Sequence, residues 1–174
     1  LQKKWNYKGN LENIIRFDIQ RVNELINGFD DTIFGKNIGL DKLIGTNNID
    51  LVIGGPPCQA YSIAGRVKDK NGMQDDYRNY LFESYVEIVN HYKPKSFVFE
   101  NVEGILSAKP GGISIIDRIK SSFENIGYEI TDDLKKNALF DTSYYGVPQK
   151  RKRVIIFGTQ NDSESQQRVN FFYT

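Results

Sequence analysis

Short apolar runs alternate with longer amphipathic segments along most of the chain, and this alternation limits the possible folds more than any other feature. The apolar runs are Asn13–Phe17 (NIIRF), Asp50–Ile53 (DLVI), Ser96–Phe99 (SFVF) and Val154–Phe157 (VIIF), and we predict strands there. Tyr80–His91 carries apolar residues at helical spacing and predicts an amphipathic helix. Strands that alternate with helices are typical of βα units, so we expect an α/β fold with an open sheet and flanking helices.

The segments between these runs complete the expected fold. We predict one further helix over Arg21–Asn27 and another over Ile113–Ile126, with Gly127 as the residue that follows the helix. Phe29–Asn48 is polar and interrupted by glycines, which favours a loop with a short helix over a core element. Tyr128–Leu139 contains one more predicted strand.

The length of 174 residues suits a single domain. We place this domain over residues 1–159, where the apolar runs occur. Residues 160–174 begin with a polar stretch (NDSESQQR), and we expect a polar tail there, or the start of a linker to a missing region.

Composition excludes several classes of protein. Lys plus Arg number 23 and Asp plus Glu number 22, so the net charge is 23 − 22 = +1 and any DNA-binding cations must be segregated on one surface. No run of about 18 apolar residues is present to span a membrane. A single cysteine excludes an internal disulfide, and together with a single histidine it argues against a structural zinc site, so we expect no metal and a reducing, cytoplasmic setting.

Polar residues follow three of the apolar runs. Pro56-Pro57-Cys58-Gln59 comes after DLVI, Glu100-Asn101-Val102 after SFVF, and Asp18 after NIIRF. Ligands of open α/β sheets bind outside the carboxyl ends of the strands. One topology would therefore bring Asp18, Cys58 and Glu100 to one crevice.

Cys58 and Glu100 each have two interpretations. A lone cysteine is often a small buried hydrophobe. Here Gly54 and Gly55 allow close approach of the backbone and two prolines stiffen the turn, which favours a presented, reactive thiol. Glu100 is either a solvated carboxylate at a strand end or, because Phe97–Phe99 precede it, a partly buried carboxyl that can hold a proton.

The chain has one dense basic run, Gln149 to Arg153 (QKRKR), directly before a predicted strand. Such runs are often solvated faces. Strand alternation would send Arg151 and Arg153 to one side and Lys150 and Lys152 to the other. One pair would then face the crevice and bind phosphate or an anionic intermediate.

Four segments, in this order, resemble motifs of the cytosine-C5 DNA methyltransferases. GGPPCQAYS (Gly54–Ser62) resembles the nucleophile motif and YRNYLF (Tyr77–Phe82) the helix that follows it. FVFENV (Phe97–Val102) resembles the glutamate motif, and YYGVPQKRKRVIIFG (Tyr144–Gly158) resembles the Gln-x-Arg-x-Arg motif. The resemblance runs from about residue 13 to residue 158.

This resemblance implies roles for individual residues. Cys58 would be the nucleophile that adds to C6 of cytosine, and Glu100 the carboxyl that binds N3 and the exocyclic amine. Arg151 and Arg153 would hold the nucleotide and support the activated ring. Substrate contacts are also implied for Gln59, Ser62, Asn101 and Gln149.

The resemblance implies S-adenosylmethionine as methyl donor and no metal. Asp18 resembles the strand-end acid that contacts the adenine, although Asn37-Ile38 is a competing alignment for that position. Pro56 and Leu81 match positions that line the cofactor pocket. Nothing before Asn13 resembles the family's Phe-x-Gly-x-Gly turn, and the DNA-reading region, the late Asn-containing motif and the closing helix have no counterpart.

The chain therefore resembles the middle of such an enzyme, a partial Rossmann-like S-adenosylmethionine-dependent methyltransferase sheet. The leading hypothesis is a DNA (cytosine-5-)-methyltransferase of a restriction–modification system, acting on double-stranded DNA in the bacterial cytosol or nucleoid, with a second chain or segment as the partner that supplies the missing motifs. A tRNA cytosine-C5 methyltransferase and a non-catalytic remnant or accessory fragment are the alternatives.

Overall fold

A computed structural model describes residues 14–45, 48–57 and 81–174. Three predicted site residues, Cys58, Gln59 and Ser62, lie outside the described residues. The chain divides into two compact units, residues 1–47 and residues 48–174. In the described part of the chain, no helix is both long enough and apolar enough to cross a bilayer.

The first unit contains two short helices and a hairpin. Helix α1 is Val22–Asn27, strand β1 is Phe29–Asp31, strand β2 is Gly35–Asn37 and helix α2 is Leu40–Ile44. The strands pair antiparallel, and the ring of Phe17 stacks on that of Phe29 with centroids 3.9 Å apart. The predictions of α1 and of a short helix within Phe29–Asn48 are confirmed, but the hairpin was not predicted.

The strand predicted over Asn13–Phe17 is wrong, because residues 14–18 form no strand. Asp18 instead begins a turn: its Oδ1 accepts the N–H of Gln20 at 3.0 Å and its carbonyl accepts that of Arg21 at 3.1 Å. Aspartate favours such local bonds to the backbone over strand pairing. Asp18 therefore precedes α1 and does not end a strand.

The second unit is built on a five-stranded sheet. Its strands are β3 (Leu51–Gly54), β4 (Ser96–Val102), β5 (Tyr128–Ile130), β6 (Leu139–Asp141) and β7 (Lys152–Gln160). β3 and β4 are parallel, and β7 pairs antiparallel with β4 on one edge and with both β5 and β6 on the other. The sheet is thus mixed, with β7 at its centre.

Helices cover the sheet, and one face holds most of the core. The helices are α3 (Leu81–Tyr92), α4 (Ile115–Asn125), α5 (Leu134–Asn137) and α6 (Ser165–Phe172). Apolar residues at helical spacing bury one side of α3 and of α4. Phe97 of β4 stacks on Phe123 of α4 with centroids 3.9 Å apart, and both rings are fully buried. Turns of 3-10 helix span Glu103–Ser107, Pro110–Gly112 and Thr142–Tyr145.

Several boundaries and burial predictions need correction. The strand predicted over Asp50–Ile53 is confirmed as β3, but the apolar side chain of Ile53 is 69% exposed. β4 and β7 are longer than predicted, so Glu100 lies inside a strand and Gly158 does not end one. The tail expected over residues 160–174 is wrong: it contains α6, whose Val169 is fully buried.

Candidate active site

Glu100 lies on the sheet face opposite the aromatic core. Along β4 the buried positions are Phe97, Phe99 and Asn101, so strand alternation turns Glu100 to the other face. Its side chain is 44% exposed, between the two interpretations of a solvated and a partly buried carboxyl. A carboxyl at this position is accessible from outside and still fixed by a strand.

Arg153 reaches Glu100 because of the register between two strands. In the β4–β7 pair, Val102 lies opposite Arg153 and Glu100 opposite Ile155, so Arg153 and Glu100 are diagonal neighbours on one face. The Nε of Arg153 lies 2.8 Å from Oε1 of Glu100. A charge-assisted bond of this length orients the carboxylate and places a fixed positive charge beside it.

Gly55 lies against the other oxygen of Glu100. A Cβ atom built on Gly55 would be 2.9 Å from Oε2 and 3.5 Å from the carbonyl oxygen of Glu100. The close backbone approach predicted for the glycine pair is therefore present. The carboxylate of Glu100 is confined between Gly55 and the guanidinium of Arg153.

Asn101 supports the turn that leads to Cys58. Its side chain is almost fully buried, and its Nδ2 donates to the carbonyl of Pro56 at 3.3 Å. Pro56 is buried and Pro57 is exposed. Asn101 thus forms a hydrogen bond with the backbone of the turn, and its contact with the substrate stays a prediction.

Gly54, the last residue of β3, is held by an aromatic ring from α3. A Cβ on Gly54 would meet Cδ2 of Tyr85 at 2.6 Å. The Tyr85 hydroxyl lies 3.1 Å from the carbonyl of Val52 and 3.0 Å from that of Val98, and it donates to these neighbouring strands. Burial raises the pKa of Tyr85, so its hydroxyl stays a neutral donor. From the sequence, Tyr85 was predicted only as one residue of the amphipathic helix over Tyr80–His91.

The remaining residues of the basic run have separate environments. Lys152 pairs with Glu103 at 3.2 Å. Arg151 and Gln149 are exposed, and within the described residues no hydrogen bond or ion pair engages either side chain. Among the described residues, Arg153 contacts Glu100, and the role predicted for Arg151 stays a prediction.

The residues predicted to contact S-adenosylmethionine belong to both units, and their cofactor contacts stay predictions. Leu81 and Pro56 are both buried, and Asp18 belongs to the first unit. A competing candidate, Asn37, uses its Oδ1 to accept the N–H of Gly39 at 2.9 Å. In the described part of the chain, no group of three His, Cys, Asp or Glu residues is arranged to hold a metal ion.

Known proteins share this order of motifs. The family model for C-5 cytosine-specific DNA methylases matches residues 6–173. The chain belongs to this family. It is 52% identical over 116 residues to the Type II methyltransferase M.Bpa9945I of Bacillus paralicheniformis, which covers 65% of this chain and 26% of that protein. It is 38% identical over 130 residues to the Type II methyltransferase M.DdeI of Desulfomicrobium norvegicum, covering 74% and 29% respectively.

Solved structures of methyltransferases confirm the expected fold of this family member. A crystal structure of a DNA modification methyltransferase encoded within an E. coli prophage superposes with a TM-score of 0.51 at 28% identity. The match covers 71% of this chain and 31% of that one. The chain thus spans about a quarter to a third of the length of these relatives.

Proposed function

We propose that this chain carries the nucleophile and the base-binding carboxyl of a DNA (cytosine-5-)-methyltransferase. The observation that supports it best is the confinement of Glu100 between Gly55 and Arg153, directly beside the Pro56-Pro57 turn that precedes Cys58. A carboxyl, a guanidinium and a turn that carries a cysteine are the groups that nucleophilic addition to a cytosine ring requires.

The first step is addition of the Cys58 thiolate to C6 of cytosine. A C6–S bond forms, the C5–C6 double bond opens, and the electron pair makes C5 nucleophilic. S-adenosylmethionine, when bound, supplies the methyl group for C5. Loss of the C5 proton to a base and cleavage of the C6–S bond then restore the aromatic ring and the thiolate.

Glu100 and Arg153 act on the charge that addition creates. Electron density moves towards N3 and O2 of the ring as the sulfur adds, and a hydrogen bond between N3 and the Glu100 carboxyl stabilises it. The guanidinium of Arg153 holds this carboxyl in place and adds a preorganised positive charge. Arg151 is exposed and free to bind the phosphate of the nucleotide.

The substrate we propose is double-stranded DNA, with the target cytosine flipped out of the helix. A stacked base does not present C6 to a thiolate, and enzymes that act on bases extrude them at a cost of a few kcal/mol. Because the chain spans only part of its relatives, we infer that further segments or a second chain complete the cofactor and DNA sites. The bacterial cytosol or nucleoid is the corresponding location.

Trapping on DNA that contains 5-fluorocytosine tests this function. Fluorine does not leave C5 as a cation, so the C6–S bond persists after methyl transfer and the protein stays attached to DNA. We expect a denaturation-resistant adduct with the longest gene product that carries residues 1–174, in the presence of S-adenosylmethionine. The Cys58→Ser variant is the control. An adduct that survives this substitution, or no adduct with the parent protein, refutes the assignment.

A non-catalytic remnant or accessory fragment is the alternative, since nothing before Asn13 resembles the family's glycine turn. Calorimetry with S-adenosylhomocysteine separates the two functions. Saturable binding by residues 1–174 alone counts against the fragment. Absence of binding, combined with an adduct in the longer product, shows that the missing segments hold the cofactor.

A further inference from the structure

The connection between β6 and β7 is tied into a compact loop. Thr142 and Arg151 close it, since the N–H of Thr142 donates to the carbonyl of Arg151 at 3.1 Å. The hydroxyl of Thr142 donates to the carbonyl of Gln149 at 2.6 Å, and the N–H of Val147 donates to the carbonyl of Thr142 at 3.4 Å. We call residues 142–151 the tyrosine loop. Its shape is fixed by its own hydrogen bonds.

The loop presents aromatic side chains to solvent. Tyr144 is 86% exposed and Tyr145 is 65% exposed. Tyr145 still approaches the ring of Phe140, with centroids 6.0 Å apart, whereas no ring contact or hydrogen bond engages the Tyr144 side chain within the described residues. The Tyr144 ring is therefore an exposed aromatic surface on a loop that is held by its own hydrogen bonds.

The charge of the loop is positive. It contains Lys150 and Arg151 and no acidic residue. Asp141 at its base accepts hydrogen bonds from the N–H and hydroxyl of Ser143, and these bonds lower the pKa of the carboxyl. The carboxylate of Asp141 lies near Lys150 and offsets part of its charge, but Arg151 has no ion-pair partner among the described residues. An exposed ring in a loop with such an arginine is suited to stacking on a base with a phosphate contact alongside.

The loop also lies next to the candidate active site along the chain. Arg151, the last residue of the loop, directly precedes β7, which carries Arg153 beside Glu100. Removal of a cytosine from the helix exposes faces of neighbouring bases that an intact duplex hides. The loop is thus continuous with the strand of the site, and such a base is the partner that suits its exposed ring.

We propose that the tyrosine loop is a contact surface for DNA, in which Tyr144 stacks on a base exposed by the displaced cytosine and Arg151 binds an adjacent phosphate. This inference rests on the proposed function and adds a residue, Tyr144, that holds DNA beside the site. The loop contributes most when the target base is displaced and less on intact duplex.

Fluorescence anisotropy with labelled duplexes, one intact and one with a mismatch at the target cytosine, tests the proposal. A stacked base contributes the equivalent of about fivefold to 150-fold in affinity, so we expect Tyr144→Ala to weaken binding to the mismatched duplex within this range. Tyr144→Phe keeps the ring and binds as the parent protein does. Arg151→Gln makes the negative slope of log K against log salt shallower by about 1, whereas Tyr144→Ala leaves this slope unchanged.

Phe171→Ala is the matched control, since Phe171 is 82% exposed on α6 and lies outside the loop. Parent-like binding by Tyr144→Ala, or an equal loss in Phe171→Ala, overturns the proposal, and so does a preference of the parent protein for single-stranded RNA over the mismatched DNA. The 5-fluorocytosine adduct is read separately. An adduct without an effect of Tyr144 refutes only this inference, whereas Tyr144-dependent binding without an adduct refutes only the catalytic role.

Discussion

Replacement of Gly55 by alanine is expected to slow the reaction without unfolding the chain. The new Cβ would lie 2.9 Å from Oε2 of Glu100, whereas an ordinary contact begins at 3.4 Å, so the carboxylate must move by about 3.4 − 2.9 = 0.5 Å. The carboxylate has little room for this shift, because Arg153 holds its other oxygen. The displacement therefore changes the angle at which Glu100 meets the base.

The size of the effect follows from the displacement. A misplacement of about 1 Å at a reacting centre costs about 100-fold in rate, so a shift of about 0.5 Å corresponds to roughly tenfold. The free energy of unfolding should change little, because Gly55 has no left-handed φ and alanine there restricts the unfolded chain, which is worth about 0.4–1 kcal/mol. We expect slower adduct formation on 5-fluorocytosine DNA and an unchanged urea midpoint.

Gly54→Ala is the matched control, since this neighbour meets the ring of Tyr85 and not the carboxylate. Overpacking of this kind costs about 1–3 kcal/mol, so Gly54→Ala should lower the urea midpoint. An adduct rate for Gly55→Ala equal to that of the parent protein would refute the confinement of Glu100. A loss of stability in Gly55→Ala as large as that in Gly54→Ala would show that its effect is not local to the site.

Three further predictions concern the packing around the site and the first unit. Tyr85→Phe removes the hydroxyl that bridges β3 and β4 and should cost about 1 kcal/mol of unfolding free energy in a urea titration. An unchanged free energy of unfolding would contradict a stabilising role of this hydroxyl. Phe123→Ala leaves a cavity against Phe97 and should cost about 3–5 kcal/mol, whereas a cost below about 1 kcal/mol would mean that the core collapses into the space. Hydrogen bonds from Arg21, then from backbone N–H groups, lower the pKa of Asp31 from 3.8 to about 2, so the stability that this carboxylate contributes is present above pH 4 and lost as the pH falls from about 4 to 2. NMR of the Asp31 carboxyl should follow this titration. If Arg21→Gln left the titration midpoint of Asp31 unchanged, the result would contradict the prediction.

The sequence predicted the main strands and helices of the second unit because their periodicity is strong. β4 and β7 are apolar runs, and α3 and α4 repeat apolar residues at helical spacing, so local pattern and tertiary burial agree there. The family was predicted from four ordered motifs and is confirmed by the family model. Pattern reasoning succeeded where one face of an element is buried.

The errors come from segments whose burial depends on distant partners. Three of the four residues 14–17 are apolar, but Phe17 packs against the ring of Phe29 without joining a sheet. α6 has a weak pattern, since its buried side chains are only Ser165 and Val169. Tyr173 anchors the end of α6 by accepting the N–H of Phe157 at 3.0 Å, a contact that no local signal reveals.

The motifs named the candidate site residues but not the contacts between them. The ion pair of Glu100 with Arg153 depends on the register between β4 and β7, which sequence spacing does not fix. Arg151 precedes β7, so strand alternation does not orient its side chain, and its role stays a prediction. Side-chain contacts across strands require a pairing that only the folded chain defines.

The central place of β7 has a consequence for biosynthesis. Every pairing in the second unit except β3 with β4 involves this strand, and 152 − 102 = 50 positions separate its first residue from the last residue of β4. A ribosome that adds about 5–20 residues per second needs about 3–10 s to cover that distance. During this interval the nascent chain exposes an unpaired edge of β4, because β7 supplies its antiparallel partner. Chaperone binding to the translating chain should therefore peak before residue 152 emerges and decline once the strand is available.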